Sequence, residues 1–180
     1  MPRESVILVD EKDRRLGICE KVRAHEEGKL HRALSIFLVD QSGRILLQRR
    51  DLGKYHSGGL WANSCCGHPR PGEPTLTAAK RRLNEELGIQ VELSRAFTSR
   101  YTADVSDGMQ ENELVHVFFG SLESRPKPNP AEVMDVSVVS FAELASGLKT
   151  NADRFAPWLH HYVAHHSGEL VRGIENTARS

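Results

Sequence analysis

Long apolar runs, a cysteine framework and an excess of charge of one sign are all missing from this 180-residue sequence. No stretch approaches the roughly 18 consecutive apolar residues that a membrane-spanning helix needs. The opening residues, MPRESVILVDEKD, lack the apolar core of a secretory signal peptide. Three cysteines are an odd number and do not make a disulfide scaffold. We therefore expect a cytoplasmic protein with reduced thiols and no membrane partner.

Charge balance and chain length set further limits. The sequence has 24 basic and 24 acidic residues, so the formal net charge is zero and no nucleic-acid partner is expected. Hydrophobic residues make up 39% of the chain, which is enough for a core, and the length suits a single domain over residues 1–180. Nine histidines are the one unusual feature of the composition.

The spacing of apolar residues predicts strands first and helices later. Short apolar or alternating segments indicate strands at 5–10, 15–22, 32–40, 44–50, 60–66, 91–103, 111–122 and 133–140. Between them, helical spacing relates Leu76, Ala79, Leu83 and Leu87, and Gly88 suits the position just after the end of this helix. A capping box at Ser140 and Glu143 opens a short helix, and residues 156–166 predict a last one, after which no strong pattern remains. The mixture indicates an α/β sandwich.

The most specific motif surrounds the first of these helices. Gly67 is followed by Glu73 and then by RRLNEELGI at 81–89. This spacing resembles the Nudix box, G-x5-E-x7-R-E-U-x-E-E-x-G-U, in which U is aliphatic. One position departs, because Arg82 stands where the box has glutamate. The alternative interpretation is an amphipathic helix with ordinary surface ion pairs, which the register of Gly67, Glu73 and Gly88 disfavours.

The Arg82 departure bears on phosphate chemistry. Carboxylates such as Glu86 suit Mg²⁺, which proteins commonly share with substrate phosphates. A cation in place of one carboxylate weakens the metal array that a Nudix hydrolase uses to activate water. The same cation can grip a phosphate oxygen. The sequence therefore predicts a site that holds a diphosphate while hydrolysis is disfavoured.

The segment NSCCGHPRPGE places two adjacent cysteines before a Gly-His-Pro turn. Side chains alternate faces along a strand, so at most one of Cys65 and Cys66 can face a site. Cys66 shares its face with His68 if the strand continues that far. Either cysteine taken alone would more often be an inert part of the core.

A second pair of acidic residues occurs in ENELVHVFF. Glu111 and Glu113 share a strand face, and two adjacent carboxylates need a cation or a proton between them. Imidazoles at His25, His31 and His68 would complete a mixed nitrogen and oxygen set that suits Mn²⁺, Zn²⁺ or Fe²⁺. Residue types alone could not have selected these five from nine histidines and many acids. The alternative is a solvated strand end with surface histidines.

Several further segments occur in order along the chain: EKVRAHEEGKLHRA, RRDLGKYHSGGLWANSCCGHPRPGE, RRLNEELG, RYTA, ENELV, EVMD and FAPW. Together they resemble the type I isopentenyl-diphosphate isomerase family, from about residue 4 to about residue 165. The Asn-Ser-x-Cys-Gly-His-Pro and Glu-Asn-Glu runs are highly specific to that branch of the Nudix fold. One loop departs, since Gly58 stands where proline is common.

The resemblance implies a role for individual positions. The groups that move protons would be Cys66, Glu113 and Tyr101. A tightly bound Mn²⁺ or Zn²⁺ would be held by His25, His31, His68, Glu111 and Glu113. A second ion, Mg²⁺, would bridge the substrate diphosphate to Glu86. The diphosphate would contact Lys21, Arg50, Lys54 and Arg82, and the pocket would be lined by Trp158.

The resemblance also implies a fold and an activity. The expected fold is a Nudix fold of the α/β (α+β) type, with mixed β-sheets sandwiched by helices. The Nudix core is expected over about residues 30–162, with N-terminal strands contributing metal and substrate ligands. The expected activity is interconversion of isopentenyl and dimethylallyl diphosphate through a tertiary carbocation, for isoprenoid precursor biosynthesis, by a monomer.

Two other functions stay open from the sequence. One is a Nudix hydrolase of a nucleoside diphosphate derivative, against which Arg82 and the pair of Cys66 and Glu113 argue. The other is a metal-dependent domain that senses a diphosphate or binds a partner without catalysis. Phosphate release would identify the first, and tight binding without turnover would identify the second.

Overall fold

The computed structural model describes residues 4–105 and 108–179, which form a mixed β-sheet with helices on both faces. The strands are β1 Ser5–Val9, β2 Arg15–Glu20, β3 His31–Val39, β4 Ile45–Arg50, β5 Trp61–Ala62, β6 Cys65–Gly67, β7 Ser94–Asp104, β8 Gln110–Ser121 and β9 Val133–Val139. The helices are α1 Lys21–Glu26, α2 Thr75–Leu87, α3 Phe141–Thr150, α4 Pro157–His165 and α5 Ser167–Ala178, with a 3-10 turn at Ala152–Arg154. No helix among the described residues has the length and apolar character needed to cross a membrane.

Strand β3 is the centre of the sheet. It pairs in parallel with β8 and antiparallel with β1, β4 and β6. Its alternate side chains enter two different cores, as strand geometry requires. Ala33, Phe37 and Val39 pack with residues of α3, α4 and α5, whereas the other face meets α2 through Leu34, Ile36 and Leu38. This confirms the expected sandwich of helices around a mixed sheet.

Helix α2 carries the predicted apolar stripe, with one correction. Ala79, Leu83 and Leu87 are fully buried, but Leu76 is 42% exposed. Leu76 lies in the first turn of the helix, which begins at Thr75. The helix ends as predicted, because Gly88 adopts the left-handed conformation at φ +63° and donates its backbone N–H to Asn84.

Two helices lie where the sequence patterns did not predict them. The predicted strand 15–22 stops at Glu20, whose carboxylate accepts hydrogen bonds from the backbone of Val22 and Arg23 and so opens α1. A glutamate is not among the usual capping residues, which is why the start of α1 was missed. Helix α5 occupies the last residues, for which no pattern was found. It was missed because only two of its residues, Leu170 and Ile174, are buried, which leaves a weak apolar pattern.

The predicted strand 60–66 is divided by a break at Asn63 and Ser64. The Asn63 amide donates to the carbonyls of Ile36 and Cys65, and the Ser64 hydroxyl accepts from the backbone N–H of Leu38. These side-chain hydrogen bonds replace the backbone hydrogen bonds of a regular strand. An alternating sequence pattern does not reveal such a replacement.

Strand register gathers polar side chains on one face of the sheet. Glu113 of β8 lies opposite His31 of β3 and opposite Tyr101 of β7, while Ser35 of β3 lies opposite Cys66 of β6. Paired residues share a face, and His31 and Ser35 are four apart on one strand. We call the face that carries these five residues the site face.

The packing of α2 can be tested by truncating one leucine at a time. Leu83→Ala should lower the free energy of unfolding by about 2–5 kcal/mol, because this side chain is fully buried. Leu76→Ala, on the same helical face, is the matched control and should change it by less than about 0.5 kcal/mol. Urea titrations followed by circular dichroism measure both. Equal losses would contradict the described packing of the helix.

Candidate active site

A cavity of about 550 Å³ opens on the site face. Every residue predicted for the site lines this cavity except His25 and His31, which are completely buried against the ring of His68. The lining set of predicted residues comprises Lys21, Arg50, Lys54, Cys66, His68, Arg82, Glu86, Tyr101, Glu111, Glu113 and Trp158. Strand register and loop closure therefore bring together residues that lie far apart in the sequence.

Three imidazoles and one carboxylate converge at one end of the cavity. The ligand atoms of His25, His31, His68 and Glu113 all lie within 4.8 Å of one another. The Nδ1 atoms of His25 and His31 each lie 2.7 Å from a backbone carbonyl, of Lys21 and Lys29 respectively. Donation from Nδ1 leaves Nε2 with a lone pair, which is the usual arrangement of metal-binding histidines. The cluster therefore fits a divalent metal.

Burial and neighbouring charges shift the pKa values of the cluster residues in different directions. Burial, with His31 and Lys21 nearby, holds the pKa of His68 well below its ordinary value, so this imidazole is neutral. Burial disfavours ionisation of Glu113, but the neighbouring His31 lowers the pKa of that carboxyl below its usual range. Burial likewise works against the charged form of His25, yet the Glu111 carboxylate raises its pKa.

Glu111 lies beside this cluster and contacts His56, a residue that the sequence patterns did not identify. Its Oε2 atom is 3.6 Å from Nε2 of His25, and its Oε1 atom is 2.9 Å from Nε2 of His56. His25, His56 and Glu111 form a second group with metal-ligand spacing. No role for His56 follows from the sequence, because a lone loop histidine carries no periodic signal.

The Cys66 thiol is held in place by Asn63. Its Sγ donates to Oδ1 of Asn63 over 3.1 Å, and the indole Nε1 of Trp158 donates to the same oxygen over 3.0 Å. Because the Asn63 amide nitrogen already donates to Ile36 and Cys65, the orientation of the amide is fixed. The sequence motif contains Asn63 but does not predict that its side-chain oxygen accepts from both Cys66 and Trp158.

Burial keeps the thiol protonated. Desolvation raises the pKa of Cys66 to about 12, against the opposing effects of the Ser35 hydrogen bond and the Arg50 charge. Ser35 Oγ lies 3.5 Å from the sulfur and 2.8 Å from the hydroxyl of Tyr162. Cys65 lies in the opposite core against α2, which confirms the predicted alternation of the two cysteines.

Basic side chains gather at the other end of the cavity. Arg82 donates to Glu85 over 2.7 Å, pairs with Glu86 and lies 3.3 Å from Glu132. Lys54 pairs with Glu132 and lies 3.7 Å from Glu86. Arg82 and Glu86 are four residues apart and so lie on the same face of the helix. These cations are held together by carboxylates at the point where an anionic ligand group could enter.

Two more predicted cations and a tyrosine complete the cavity wall. The Arg50 guanidinium lies over the Trp158 ring at 5.1 Å, and the Lys21 ammonium is 2.9 Å from Glu4. Tyr101 is 5% exposed, and desolvation raises its pKa well above the ordinary value, with a smaller contribution from the Glu111 charge. The phenol therefore stays protonated beside Glu113, its cross-strand partner.

Comparison with known proteins places this geometry in a family. The NUDIX domain family model matches residues 29–161. Isopentenyl-diphosphate Delta-isomerase 2 of Aromatoleum aromaticum is 47% identical over 87% of this chain and 82% of its own length. Isopentenyl-diphosphate Delta-isomerase of Streptomyces griseus is 52% identical over 77% of this chain and 72% of its own.

Solved structures agree on the fold. The Deinococcus radiodurans protein DR0079 superposes with a TM-score of 0.71, covering 97% of this chain and 99% of its own. The two chains are 18% identical, so this likeness concerns the fold alone. The sequence identity to the isomerases is what assigns the family. This chain belongs to the isopentenyl-diphosphate Delta-isomerase family of NUDIX-domain proteins.

Proposed function

We propose that this chain interconverts isopentenyl diphosphate and dimethylallyl diphosphate, and so supplies isoprenoid precursors. The observation that carries the proposal is the shared cavity. Cys66 and Glu113 line it together with phosphate-type cations, and Glu113 also belongs to the buried cluster of metal-type ligands. The named activity of relatives that are 44–52% identical supports the same reaction.

The chemistry explains why two proton-transfer groups are needed. A carboxylate is too weak a base to remove an unactivated allylic proton, so the terminal carbon of the alkene must be protonated first. The resulting tertiary carbocation then loses a proton from the neighbouring carbon. One protein group gives a proton and another receives one, and the two exchange roles when the reaction runs backwards.

Cys66 and Glu113 would supply these two groups. In the ligand-free protein the thiol is protonated because burial raises its pKa, and Asn63 fixes its position. Glu113 lies on the neighbouring part of the site face, with the protonated Tyr101 phenol opposite it across the strand pair. Trp158, held by the same Asn63 oxygen, offers an aromatic ring to the cationic intermediate, a contact worth about 2 kcal/mol or more when desolvated.

The metal cluster would tune the carboxylates. His25, His31, His68, Glu111 and Glu113 would hold Mn²⁺ or Zn²⁺. Such an ion would offset the repulsion between the two carboxylates and set the acidity of the Glu113 proton. Buried Nε2 of His31 and Oε2 of Glu111 have no hydrogen-bond partner among the described residues, which is the expected state of ligands that await a cation.

The cationic end of the cavity would bind the diphosphate. Lys21, Arg50, Lys54 and Arg82 would contact its oxygens, with Mg²⁺ shared between Glu86 and the diphosphate. Arg82 occupies the place of a box carboxylate and already neutralises Glu86, which disfavours the metal array that hydrolysis needs. We further propose that the protein acts as a cytoplasmic monomer.

The assignment of proton-transfer groups is tested by two substitutions. Cys66→Ala and Glu113→Gln should each lower turnover by at least about 10²-fold, because each removes a group that moves a proton. The assay mixes protein, Mg²⁺ and isopentenyl diphosphate in D₂O and follows dimethylallyl diphosphate and deuterium uptake. Phosphate release in the same samples would instead indicate a hydrolase.

Cys65→Ala is the matched control for the thiol. Its side chain lies in the core against α2, away from the cavity, so turnover of the folded variant should stay within a factor of a few of wild type. The metal content of Glu113→Gln is measured alongside, because this residue is also a proposed ligand. A dead Cys65 variant combined with an active Cys66 variant would reverse the assignment.

Diphosphate recognition is tested at Arg82. Arg82→Gln should lower kcat/KM roughly 10- to 150-fold, because a hydrogen bond to a charged group contributes about 1.5–3 kcal/mol. Lys80→Gln is the control and should be silent, because the partly exposed Lys80 side chain, on the same helix, pairs with Glu92 beyond the end of that helix. Steady-state kinetics with both variants provide the comparison. A phosphate-releasing Arg82→Glu variant would support the role of Arg82 in suppressing hydrolysis.

The two proposed ions should behave differently on metal removal. Dialysis against buffer without Mg²⁺ should stop turnover, and Mg²⁺ alone should restore it. Treatment with a strong chelator should strip the buried ion as well, after which Mg²⁺ alone should fail and Mg²⁺ with Mn²⁺ or Zn²⁺ should succeed. Full activity with Mg²⁺ alone in chelator-stripped protein would remove the buried ion from the mechanism.

A further inference from the structure

His56 is a buried histidine for which the proposed reaction has no use. It lies in the loop between β4 and β5, and only 3% of its surface is exposed. Its ring packs edge-on against Trp158 at 5.9 Å and lies 5.6 Å from the ring of His25. It therefore borders both the metal-type cluster and the pocket for the five-carbon group.

The Nε2 atom of His56 lacks a hydrogen-bond partner, as do atoms of two proposed metal ligands. Among the described residues, the buried atoms without a hydrogen-bond partner include Nε2 of His31, Oε2 of Glu111 and Nε2 of His56. A buried polar atom left unpaired costs about 1–3 kcal/mol, so three such atoms in one place point to a missing ligand. His56 is the one member of the three without a proposed role.

The opposite ring nitrogen of His56 also follows the pattern of the cluster. Its Nδ1 lies 3.1 Å from the hydroxyl oxygen of Ser57, as the Nδ1 atoms of His25 and His31 lie near carbonyl oxygens. Donation from Nδ1 to Ser57 fixes the tautomer in which Nε2 carries a lone pair. The loop holds this arrangement with Ser57 in the left-handed region, at φ +52°.

The distance between His56 and Glu111 suits a shared ion. Nε2 of His56 lies 2.9 Å from Oε1 of Glu111 but does not satisfy hydrogen-bond geometry. Two donor atoms bound at right angles to one ion, each at about 2.1 Å, are roughly 3 Å apart. Together with His25, both residues form a group whose ligand atoms lie within 4.8 Å of one another.

We propose that His56 is a further ligand of the buried divalent metal, bound through Nε2 beside Glu111. The centre would then have four imidazoles and two carboxylates from the chain itself. A nitrogen-rich set favours transition metals such as Zn²⁺, Fe²⁺ or Mn²⁺ over Mg²⁺. The inference rests on the metal centre of the proposed function, but metal binding is measured without reference to turnover.

The test uses metal-stripped full-length protein titrated with Co²⁺, whose visible absorption reports its coordination. His56→Ala and His56→Gln should change the absorption spectrum and weaken Co²⁺ binding at least about 10-fold. Even the loss of a residue that only hydrogen-bonds to a metal ligand costs about that much affinity. His31→Ala should behave similarly. His116→Gln is the matched control, a buried histidine bonded to Asp13 outside the cavity, and should leave both readouts unchanged.

A second measurement needs no substitution and so does not depend on the folding of variants. Pulsed EPR of the wild-type protein loaded with Mn²⁺ should count four coordinated imidazoles, from His25, His31, His56 and His68. Three imidazoles, or a His56 variant with an unchanged Co²⁺ spectrum, would overturn the proposal and leave His56 as an ion-pair partner of Glu111. A metal-binding protein without isomerase turnover would contradict the proposed function alone.

Discussion

The pairing of β3 with β8 is the constraint on which the site depends. Parallel register places His31 beside Glu113, and the antiparallel partner β7 places Tyr101 on the other side of the same carboxylate. On β3, four residues further along the same face, Ser35 meets Cys66 of β6. A one-residue slip of β8 would turn Glu113 to the opposite face and separate it from both neighbours. The backbone ladder therefore fixes the distance between the metal-type cluster and the thiol.

The buried carboxylates of the cavity have two different kinds of neighbour. Glu86, Glu111 and Glu113 are each less than a tenth exposed, and ionised carboxylates at such depth require cations. Glu86 forms ion pairs with Arg82 and Lys54, whereas Glu111 and Glu113 lie beside imidazoles. One end is thus prepared for an anionic diphosphate and the other for a metal. The Cys66 thiol and the Trp158 indole line the same cavity, where a hydrocarbon can be kept from water.

Sequence patterns predicted the fold class and the end of α2, because Gly88 and the apolar stripe are local signals. They also led, through family resemblance, to residues that the structure gathers in one cavity. They missed α1 and α5, whose capping and burial are weak locally, and they missed Asn63, whose shared hydrogen bonds depend on tertiary packing. Helical spacing correctly placed Leu76 in α2 but did not show that its side chain is partly exposed.

We propose that a thiol and a carboxyl act on two sides of one small alkene. This arrangement can be observed in a crystal structure of the wild-type chain with Mg²⁺ and a non-reacting, saturated analogue of isopentenyl diphosphate. We expect the five-carbon group within about 4.5 Å of both Cys66 Sγ and the Glu113 carboxyl, on opposite sides, with the diphosphate at Arg82. A hydrocarbon group that contacts only one of the two residues, or lies outside the cavity, would contradict it.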